Sequence, residues 1–334
     1  MATDWRIFLA CVLGLAGRLA VAADSDAGVR KGQVEFRPAA SERDLPERFQ
    51  LPASRFTYEQ RREETVSQAF RIWTVTFPSP VVTPQANNNT VHCEYFEPTS
   101  AGKHPGVVVL HILGGDFPLA RLFARSLAQH GAAALFIKMP YYGPRRQPDS
   151  PARMVSLDPE ETIRGMTQAV LDIRRGAAWL AAQDDVDPEQ LGIMGVSLGG
   201  ITSALAAGAE PRLRNVCLIL AGGDIGQVAW EARELEKLRK SWLAKGESKE
   251  SLNKLLSQID PVTYAGNVRG RHILMLNARQ DEVIPPACTE SLWRALGEPE
   301  IVWWDAGHYS AVRYLFDGLG KATHFFCASA TQSP

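Results

Sequence analysis

Segments with the pattern of buried strands alternate with segments of helical pattern from His104 onward. The run GVVVLHIL (106–113) holds β-branched and aliphatic residues without polar alternation, which is typical of a strand buried on both faces. The same reasoning predicts further strands at 132–139, 191–196, 216–223, 272–278 and 300–306, and helices over 119–130, 158–183 and 198–208. Because such alternation requires crossovers between parallel strands, the sequence predicts an α/β fold, a doubly wound and mostly parallel sheet covered on both faces.

Three parts of the chain lie outside this alternation. Residues 24–70 are polar, carry charge clusters and lack sustained periodicity, so we expect an N-terminal arm that is partly irregular. Two strand-like segments, 71–77 and 91–97, open the main domain, which we place at 71–330. After the sixth predicted strand, residues 224–270 have the pattern of two amphipathic helices broken near Gly246, and form either a cap over a ligand site or a decorated crossover.

The first 23 residues have the features of a secretory signal peptide. Arg6 precedes an apolar stretch from Ile7 to Gly17, and small residues follow at Ala20, Ala22 and Ala23. We therefore expect a secreted or periplasmic protein; the alternative is an uncleaved N-terminal helix. An oxidising compartment permits a disulfide among the four remaining cysteines, but none of them is spaced as C-x-x-C.

Charge and hydropathy exclude two classes of partner. The net charge of -1 gives no reason to expect nucleic acid or an anionic membrane surface. No apolar run reaches the roughly 20 residues that a bilayer span needs, so we expect no stable membrane span.

The stretch GIMGVSLGG (192–200) places Ser197 where a buried strand turns directly into a helix. That context is the one a nucleophile elbow requires, because glycines at positions 195 and 199 let the strand and the helix approach closely. The turn also directs the amide of Leu198 and the positive end of the helix toward the serine oxygen. We therefore predict that Ser197 is a catalytic nucleophile.

A serine nucleophile needs a base, and the base needs an orienting acid. His308 follows the last predicted strand within DAGHYS, and Asp281 follows the strand before it within NARQDEVIP. The order Ser197, Asp281, His308 therefore predicts a catalytic triad. Asp224 is the alternative acid, and Glu282 and Asp305 are weaker rivals.

The loop after the first buried strand, LHILGGD (110–116), is a candidate for the second half of an oxyanion hole. We assign the backbone amides of Leu198 and Leu113 to this role; Ile112 and Gly114 are the neighbouring alternatives to Leu113. His111 is expected to order the loop by hydrogen bonding. Two further loop residues, Tyr141 and Tyr142, are candidates for the substrate pocket. The adjacent Arg145 and Arg146 are interpreted as solvated charges, or else as contacts for an acidic substrate group.

Through LHILGGD, GVSLGG, NARQDEVIP and DAGHYS, the region from His104 to Phe326 resembles the α/β-hydrolase superfamily, in particular its dienelactone-hydrolase-like and acyl-esterase branch. The resemblance implies the α/β-hydrolase fold, a triad of Ser197, His308 and Asp281, and acyl transfer to water. Dienelactone hydrolases proper have a cysteine nucleophile, so the serine favours an esterase.

The sequence thus predicts a serine hydrolase that cleaves a carboxylic ester through an acyl-enzyme, without a metal or an organic cofactor. The expected substrate is a small-molecule or carbohydrate ester. Two alternatives remain: a prolyl-oligopeptidase-like peptidase, and a catalytically silent binding protein on the same fold.

Overall fold

The computed structural model describes residues 28–63, 67–115, 117–232 and 236–328. The predicted signal peptide at 1–23 lies outside the described residues. The four cysteines at 93, 217, 288 and 327 are free thiols.

Among the described residues, ten strands form one sheet, and from residue 70 onward each strand corresponds to a predicted segment. The strand predicted at 191–196 begins earlier, at Val186, and the one predicted at 216–223 ends earlier, at Ile219. They are β1 (Val29–Phe36), β2 (Ser54–Arg62), β3 (Phe70–Pro78), β4 (Thr90–Pro98), β5 (His104–Leu110), β6 (Ala133–Lys138), β7 (Val186–Val196), β8 (Asn215–Ile219), β9 (His272–Ala278) and β10 (Glu300–Trp304). The spatial order is β1-β2-β3-β4-β6-β5-β7-β8-β9-β10. Pairing is antiparallel from β1 to the β4–β6 contact and parallel from β6 to β10.

Alternate residues of the central strands enter two separate hydrophobic cores, one on each face of the sheet. In β5, Val108 and Leu110 belong to the first core, whereas Val107 and Val109 belong to the second. Because successive side chains of a strand point to opposite faces, a strand buried on both faces must be apolar throughout. This explains the unbroken apolar run of β5 and confirms the predicted α/β fold class.

Helices cover both faces of the sheet. In the described part of the chain they are α1 (Phe117–Gln129), α2 (Pro159–Ala181), α3 (Leu198–Ala209), α4 (Ile225–Glu231), α5 (Glu236–Ala244), α6 (Lys249–Leu256), α7 (Pro261–Tyr264), α8 (Pro286–Ala295) and α9 (Leu315–Cys327). Side chains of α2, α3, α6 and α8 enter the first core, and those of α1 and α9 enter the second. The long α2 begins where the sequence predicts, since Asp158 accepts a hydrogen bond from the Glu160 amide (3.0 Å) and Pro159 occupies the first helical position.

The segment between β8 and β9 is helical, as predicted. It contains α4, α5, α6 and α7, and the break between α5 and α6 falls at residues 245–248, with Gly246 at a φ of 79°. The chain reaches this segment after its eighth strand rather than its sixth, because the arm contributes two strands that the sequence analysis did not predict.

Those two strands, β1 and β2, extend the sheet beyond the main domain. β1 pairs with β2 and β2 pairs with β3, both antiparallel. Most of their side chains are exposed, and only Val34, Phe36 and Phe56 contribute fully buried apolar side chains. Charged side chains are expected near an exposed sheet edge, and here they outnumber the few buried apolar residues, which is why this region has the composition of an irregular arm.

No helix among the described residues is long and apolar enough to span a bilayer.

Candidate active site

Ser197 lies at the sharp turn between β7 and α3, at the carboxyl edge of the parallel strands. Its backbone has a φ of 54° and a ψ of -118°, a conformation that costs a non-glycine residue about 1–3 kcal/mol. The turn is fixed from outside, because the Ser197 amide donates to the carbonyl of Ile219 at the end of β8 (2.8 Å). Backbone strain of this kind is concentrated at active sites, ligand-binding positions and switch regions.

Two glycines allow this turn, as the sequence predicts. A Cβ at Gly195 would overlap the carbonyl group of Gly199. A Cβ at Gly199 would lie 2.7 Å from the carbonyl oxygen of His111 and 2.8 Å from that of Leu110. The helix therefore begins in direct contact with both the strand before it and the end of β5, and no side chain fits between them.

The structure brings Ser197, His308 and Asp281 into one hydrogen-bonded chain. His308 Nε2 lies 3.0 Å from Ser197 Oγ, and His308 Nδ1 lies 2.8 Å from Asp281 Oδ2. The other carboxylate oxygen, Asp281 Oδ1, accepts the amides of Val283 (2.9 Å) and Ile284 (2.7 Å). Because the carboxylate is fixed at both oxygens, it holds the imidazole with its Nε2 toward the serine.

The carboxylate bonded to His308 Nδ1 is that of Asp281 and not that of an alternative acid. Asp224 begins helix α4 in the left-handed region, and its amide donates to Asp260 Oδ1 (3.2 Å). Asp305 accepts from Gln280 Nε2 (2.6 Å). Glu282 accepts the backbone amide of His308 (2.8 Å), so it supports the histidine loop instead of the imidazole ring.

Gly307 precedes His308 in the loop after β10. A Cβ at this position would overlap the carboxylate of Glu282, so the glycine is needed for the approach of Glu282 to the loop. The Gly307 amide donates to Ser310 Oγ (2.9 Å). This supporting function of Glu282, predicted only as a rival acid, was missed; its position next to Asp281 was the available signal.

The predicted oxyanion loop lies beside the serine, and His111 orders it. His111 is buried; its Nδ1 lies 2.8 Å from the carbonyl oxygen of Ile112, and its Nε2 accepts the amide of Met139 (3.1 Å). Burial lowers the pKa of His111 to about 4, and the positive charges of Arg145 and Lys138 act in the same direction. A neutral imidazole that donates at Nδ1 and accepts at Nε2 satisfies both contacts and ties the loop to the end of β6.

Leu113 and Leu198 both border the cavity in front of Ser197. The Leu198 amide is the first of α3, where helix amides have no intrahelical acceptor and face an incoming anion. The two amides assigned to an oxyanion hole thus belong to residues at the same cavity wall as the serine.

The two tyrosines do not line that cavity, contrary to expectation. Tyr142 packs edge-on against the His111 ring (centroids 4.6 Å apart), and a Cβ at Gly115 would lie 2.7 Å from its ring. Burial raises the pKa of Tyr142 to about 12. The Tyr141 amide donates to Asn88 Oδ1 (2.9 Å) in the neighbouring loop. Tyr142 therefore supports the loop of Gly114 and Gly115, whereas Tyr141 is held by the loop that contains Asn88.

The prediction for Arg145 is wrong in both of its forms. Its side chain is completely buried, pairs with Asp172 (2.7 Å) and donates to the carbonyls of Asn88 (2.8 Å) and Lys138 (3.2 Å). It is an internal cross-link between the loop after β6 and helix α2, and it contacts neither solvent nor the cavity.

The cavity has a volume of about 550 Å³. Its walls come from the oxyanion loop, α1, α2, α3, the segment between β8 and β9, and the region around α9. Ile225, Val228, Ala229, Ala232, Leu256 and Ile259 of the helical segment form part of the wall. The segment therefore borders the site, as the cap interpretation expects.

Two family models match the chain. The model described as alpha/beta hydrolase domain containing 18 matches residues 48–227, and the one described as prolyl oligopeptidase family matches residues 165–312. The second range contains all three residues of the hydrogen-bonded chain.

Curated relatives are similar over part of their length. An uncharacterized protein of Mycobacterium tuberculosis is 29% identical over 202 residues, which are 58% of this chain and 47% of that protein. Another from the same organism is 25% identical over 211 residues, 62% of this chain and 63% of that protein. The chain thus spans about half to two thirds of the length of these relatives.

Solved structures with a similar fold are named as esterases. Acetyl xylan esterase 1 from Thermoanaerobacterium sp. JW/SL YS485 has a TM-score of 0.62 and 19% identity, covering 78% of this chain and 87% of that one. The acetyl xylan esterase from Paenibacillus sp. R4 has a TM-score of 0.62 and 18% identity, covering 78% and 88%. A Klebsiella pneumoniae protein described as a dienelactone hydrolase has a TM-score of 0.50 and 22% identity, covering 71% of this chain and 92% of that one. At this identity the likeness concerns the fold.

Proposed function

Because the chain belongs to the alpha/beta hydrolase domain containing 18 family, whose model matches more than half of it, we propose that it is a serine hydrolase that cleaves carboxylic esters. One observation carries the proposal: Ser197 Oγ, the His308 imidazole and the Asp281 carboxylate form a continuous hydrogen-bonded chain at the wall of an apolar cavity. This arrangement of a hydroxyl, a base and an orienting acid is the one that serine acyl transfer needs.

The reaction proceeds through an acyl-enzyme. Ser197 Oγ bonds to the ester carbonyl carbon while its proton passes to His308 Nε2, and the amides of Leu198 and Leu113 stabilise the carbonyl oxygen as it becomes negative. The bond to the alcohol oxygen then breaks, and His308 returns the proton to the leaving alcohol. Water attacks the acyl-enzyme with His308 as base, which releases the carboxylic acid and restores the Ser197 hydroxyl.

Replacement of the nucleophile tests the proposal. Ser197→Ala removes the attacking oxygen, so we expect kcat/KM on a 4-nitrophenyl ester to fall by about 10⁶-fold, as for another serine nucleophile. A fluorophosphonate should label the wild-type protein at Ser197 and leave the variant unlabelled. Ser257→Ala, at an exposed serine of the helical segment, is the matched control and should keep both labelling and activity. A Ser197→Ala protein that retained the wild-type rate would disprove the mechanism.

A peptidase is the second candidate, favoured by the match to the prolyl oligopeptidase family over residues 165–312. The same three side chains can attack an amide, so substrate preference separates the two. We expect 4-nitrophenyl esters to be cleaved and proline-containing peptide 4-nitroanilides to be cleaved at least about 100-fold more slowly; the reverse preference would make the peptidase the correct assignment. A 100-fold difference in kcat/KM between the two substrates corresponds to a difference of about 2.7 kcal/mol in transition-state stabilisation.

A further inference from the structure

The cavity in front of Ser197 has walls on both faces of the sheet. On one side lie residues of the first hydrophobic core, among them Met166, Ile201, Val228, Leu256 and Ile259. On the other side lie residues that belong to the second core or pack against it: Leu119, Phe123, Trp304, Ala311 and Leu315. The cavity therefore passes over the carboxyl edge of the sheet and has one apolar side above each face.

The nucleophile lies where the two sides meet. Val196, immediately before Ser197, is part of the second core, and Leu198, immediately after it, packs against the first. His308 borders the same cavity. An ester whose carbonyl carbon is in contact with Ser197 Oγ has its acyl group and its alcohol group on opposite sides of that carbon. Each group then has an apolar side of the cavity available to it.

Few of the described residues that border the cavity have polar side chains. Among the described residues that border the cavity there is no aspartate, glutamate, lysine or arginine. Apart from Ser197 and His308, the polar side chains at the wall are those of Thr162 and Tyr309. A carboxylate or phosphate buried here would lose its hydration without gaining an opposite charge from the described wall residues, so these walls disfavour an anionic substrate.

We propose that the substrate is a neutral ester with an apolar acyl group and an apolar alcohol group, each longer than two carbons. The proposal rests on the proposed serine-hydrolase function and specifies its substrate class. A volume of about 550 Å³ lies within the range of roughly 300–1,000 Å³ that encloses a small organic ligand. An acetylated carbohydrate fits this site poorly, because the acetyl group fills only a fraction of one side and the sugar hydroxyls find few hydrogen-bond partners on the other.

Two ester series measure the two sides separately in the wild-type protein. The first varies the acyl group from acetate to decanoate on a constant 4-nitrophenyl alcohol, and the second varies the alcohol from ethyl to octyl on a constant butyrate, followed by pH-stat titration. We expect kcat/KM to rise in both series, by up to about fourfold for each methylene that becomes buried, until the side is filled. A flat profile or a maximum at acetate in the first series, or no rise in the second, would overturn the proposal.

A matched pair of substrates tests the requirement for neutrality. Ethyl hexanoate and the monoethyl ester of adipic acid have similar length, but the second ends in a carboxylate. We expect the neutral ester to be hydrolysed about 100-fold faster or more, because the described residues that border the cavity include no lysine or arginine to pair with the charged one. Equal rates, or a faster reaction on acetylated xylo-oligosaccharide than on ethyl hexanoate, would show that the substrate class is wrong.

Variants at the walls locate the acyl and alcohol groups. Ala229→Phe fills the first-core side and Ala311→Phe fills the second-core side. We expect one variant to lower the decanoate-to-acetate ratio of kcat/KM by tenfold or more and the other to lower the octyl-to-ethyl ratio. Both ratios are internal to each protein, so a change in the fraction of active enzyme cancels. If both variants changed the same ratio, or neither did, the two-sided assignment would be wrong.

Cavity-enlarging variants keep the test available if the larger side chains impair folding. Met166→Ala and Phe123→Ala enlarge the first-core and second-core sides, and each should move the optimum of its own series toward longer groups. Fluorophosphonate labelling of Ser197 separates the two proposals. Labelling with the wrong substrate preference rejects only the substrate class, whereas absence of both labelling and ester hydrolysis rejects the serine-hydrolase function as well.

Discussion

Asp224 and Asp281 follow the neighbouring strands β8 and β9 at the edge where His308 lies. Of these two aspartates, Asp281 is the one bonded to the imidazole. Asp281→Asn keeps the shape of the side chain but removes the charge that orients His308, so we expect kcat to fall by about 10³- to 10⁴-fold. Asp224→Asn is the matched control, because asparagine tolerates the left-handed backbone of that position (φ 48°) as well as aspartate does. Steady-state kinetics on a 4-nitrophenyl ester should show a change below about threefold for the control. A larger loss in Asp224→Asn than in Asp281→Asn would reverse the assignment.

For individual residues, the sequence predicts correctly the positions that are determined by the ends of parallel strands. Ser197 follows β7 directly, and Asp281 and His308 lie in the loops that follow β9 and β10. Since the carboxyl ends of these parallel strands share one edge of the sheet, their side chains lie near each other. The same reasoning fails for Arg145 and Tyr142, which stand in a loop whose path depends on packing against distant residues. Arg145 is buried through its ion pair with Asp172, a contact between positions 27 residues apart that no local pattern encodes.

Among the elements of the fold, the strand–turn–helix unit of β7 and α3 requires that position 195 carry no side chain. Gly195→Ala would place a methyl group against the Gly199 carbonyl, so the turn must shift; overpacking of this kind costs about 1–3 kcal/mol of the free energy of unfolding. Because the shift moves Ser197 relative to His308, we also expect kcat to fall by about 100-fold. Gly266→Ala is the control, since a methyl group on that glycine would have nothing within 4 Å of it. Thermal unfolding and kinetics of both variants check the prediction, and a fully active Gly195→Ala would contradict the close packing of the turn.

The accuracy of element predictions follows how deeply each element is buried. The strands β5, β6, β8 and β9 are apolar on both faces, so their hydrophobic runs mark them within a few residues. In β7 only the apolar half, from Leu191 onward, was predicted, because the strand begins with the polar residues that follow Val186. In contrast, β1 (VRKGQVEF) exposes one face and lies at the edge of the sheet, where charged residues are expected. The break between α5 and α6 was predictable because Gly246 has a positive φ, which a local sequence signal can report.

Across the full chain, the arm is joined to the main domain by a buried ion-pair network. Arg174 of α2 is completely buried and donates to both carboxylate oxygens of Glu42 (2.8 and 2.5 Å). It also contacts Glu210 (3.3 Å), which is paired in turn with Arg212 (2.7 Å). The two principal partners lie 132 residues apart, so the sequence gives no sign of the link. We infer that the arm and the main domain unfold as one unit.

Glu42→Gln tests this link, with the exposed Glu47→Gln as the control. The variant leaves the Arg174 guanidinium with a neutral partner, so we expect the free energy of unfolding at pH 7 to fall by about 2 kcal/mol in a single transition, and to be unchanged in the control. Burial alone would raise the pKa of Glu42, but hydrogen bonds from Arg174 and the Leu51 amide outweigh it and hold the pKa below its ordinary 4.5. As the pH falls below 4.5, the unfolded chain takes up a proton that folded Glu42 does not bind, so the wild type loses this stabilisation while the variant has none to lose. The two stabilities, measured by urea unfolding from pH 7 downward, should therefore converge in acid; a constant difference would mean that the stabilisation does not depend on the ionisation of Glu42.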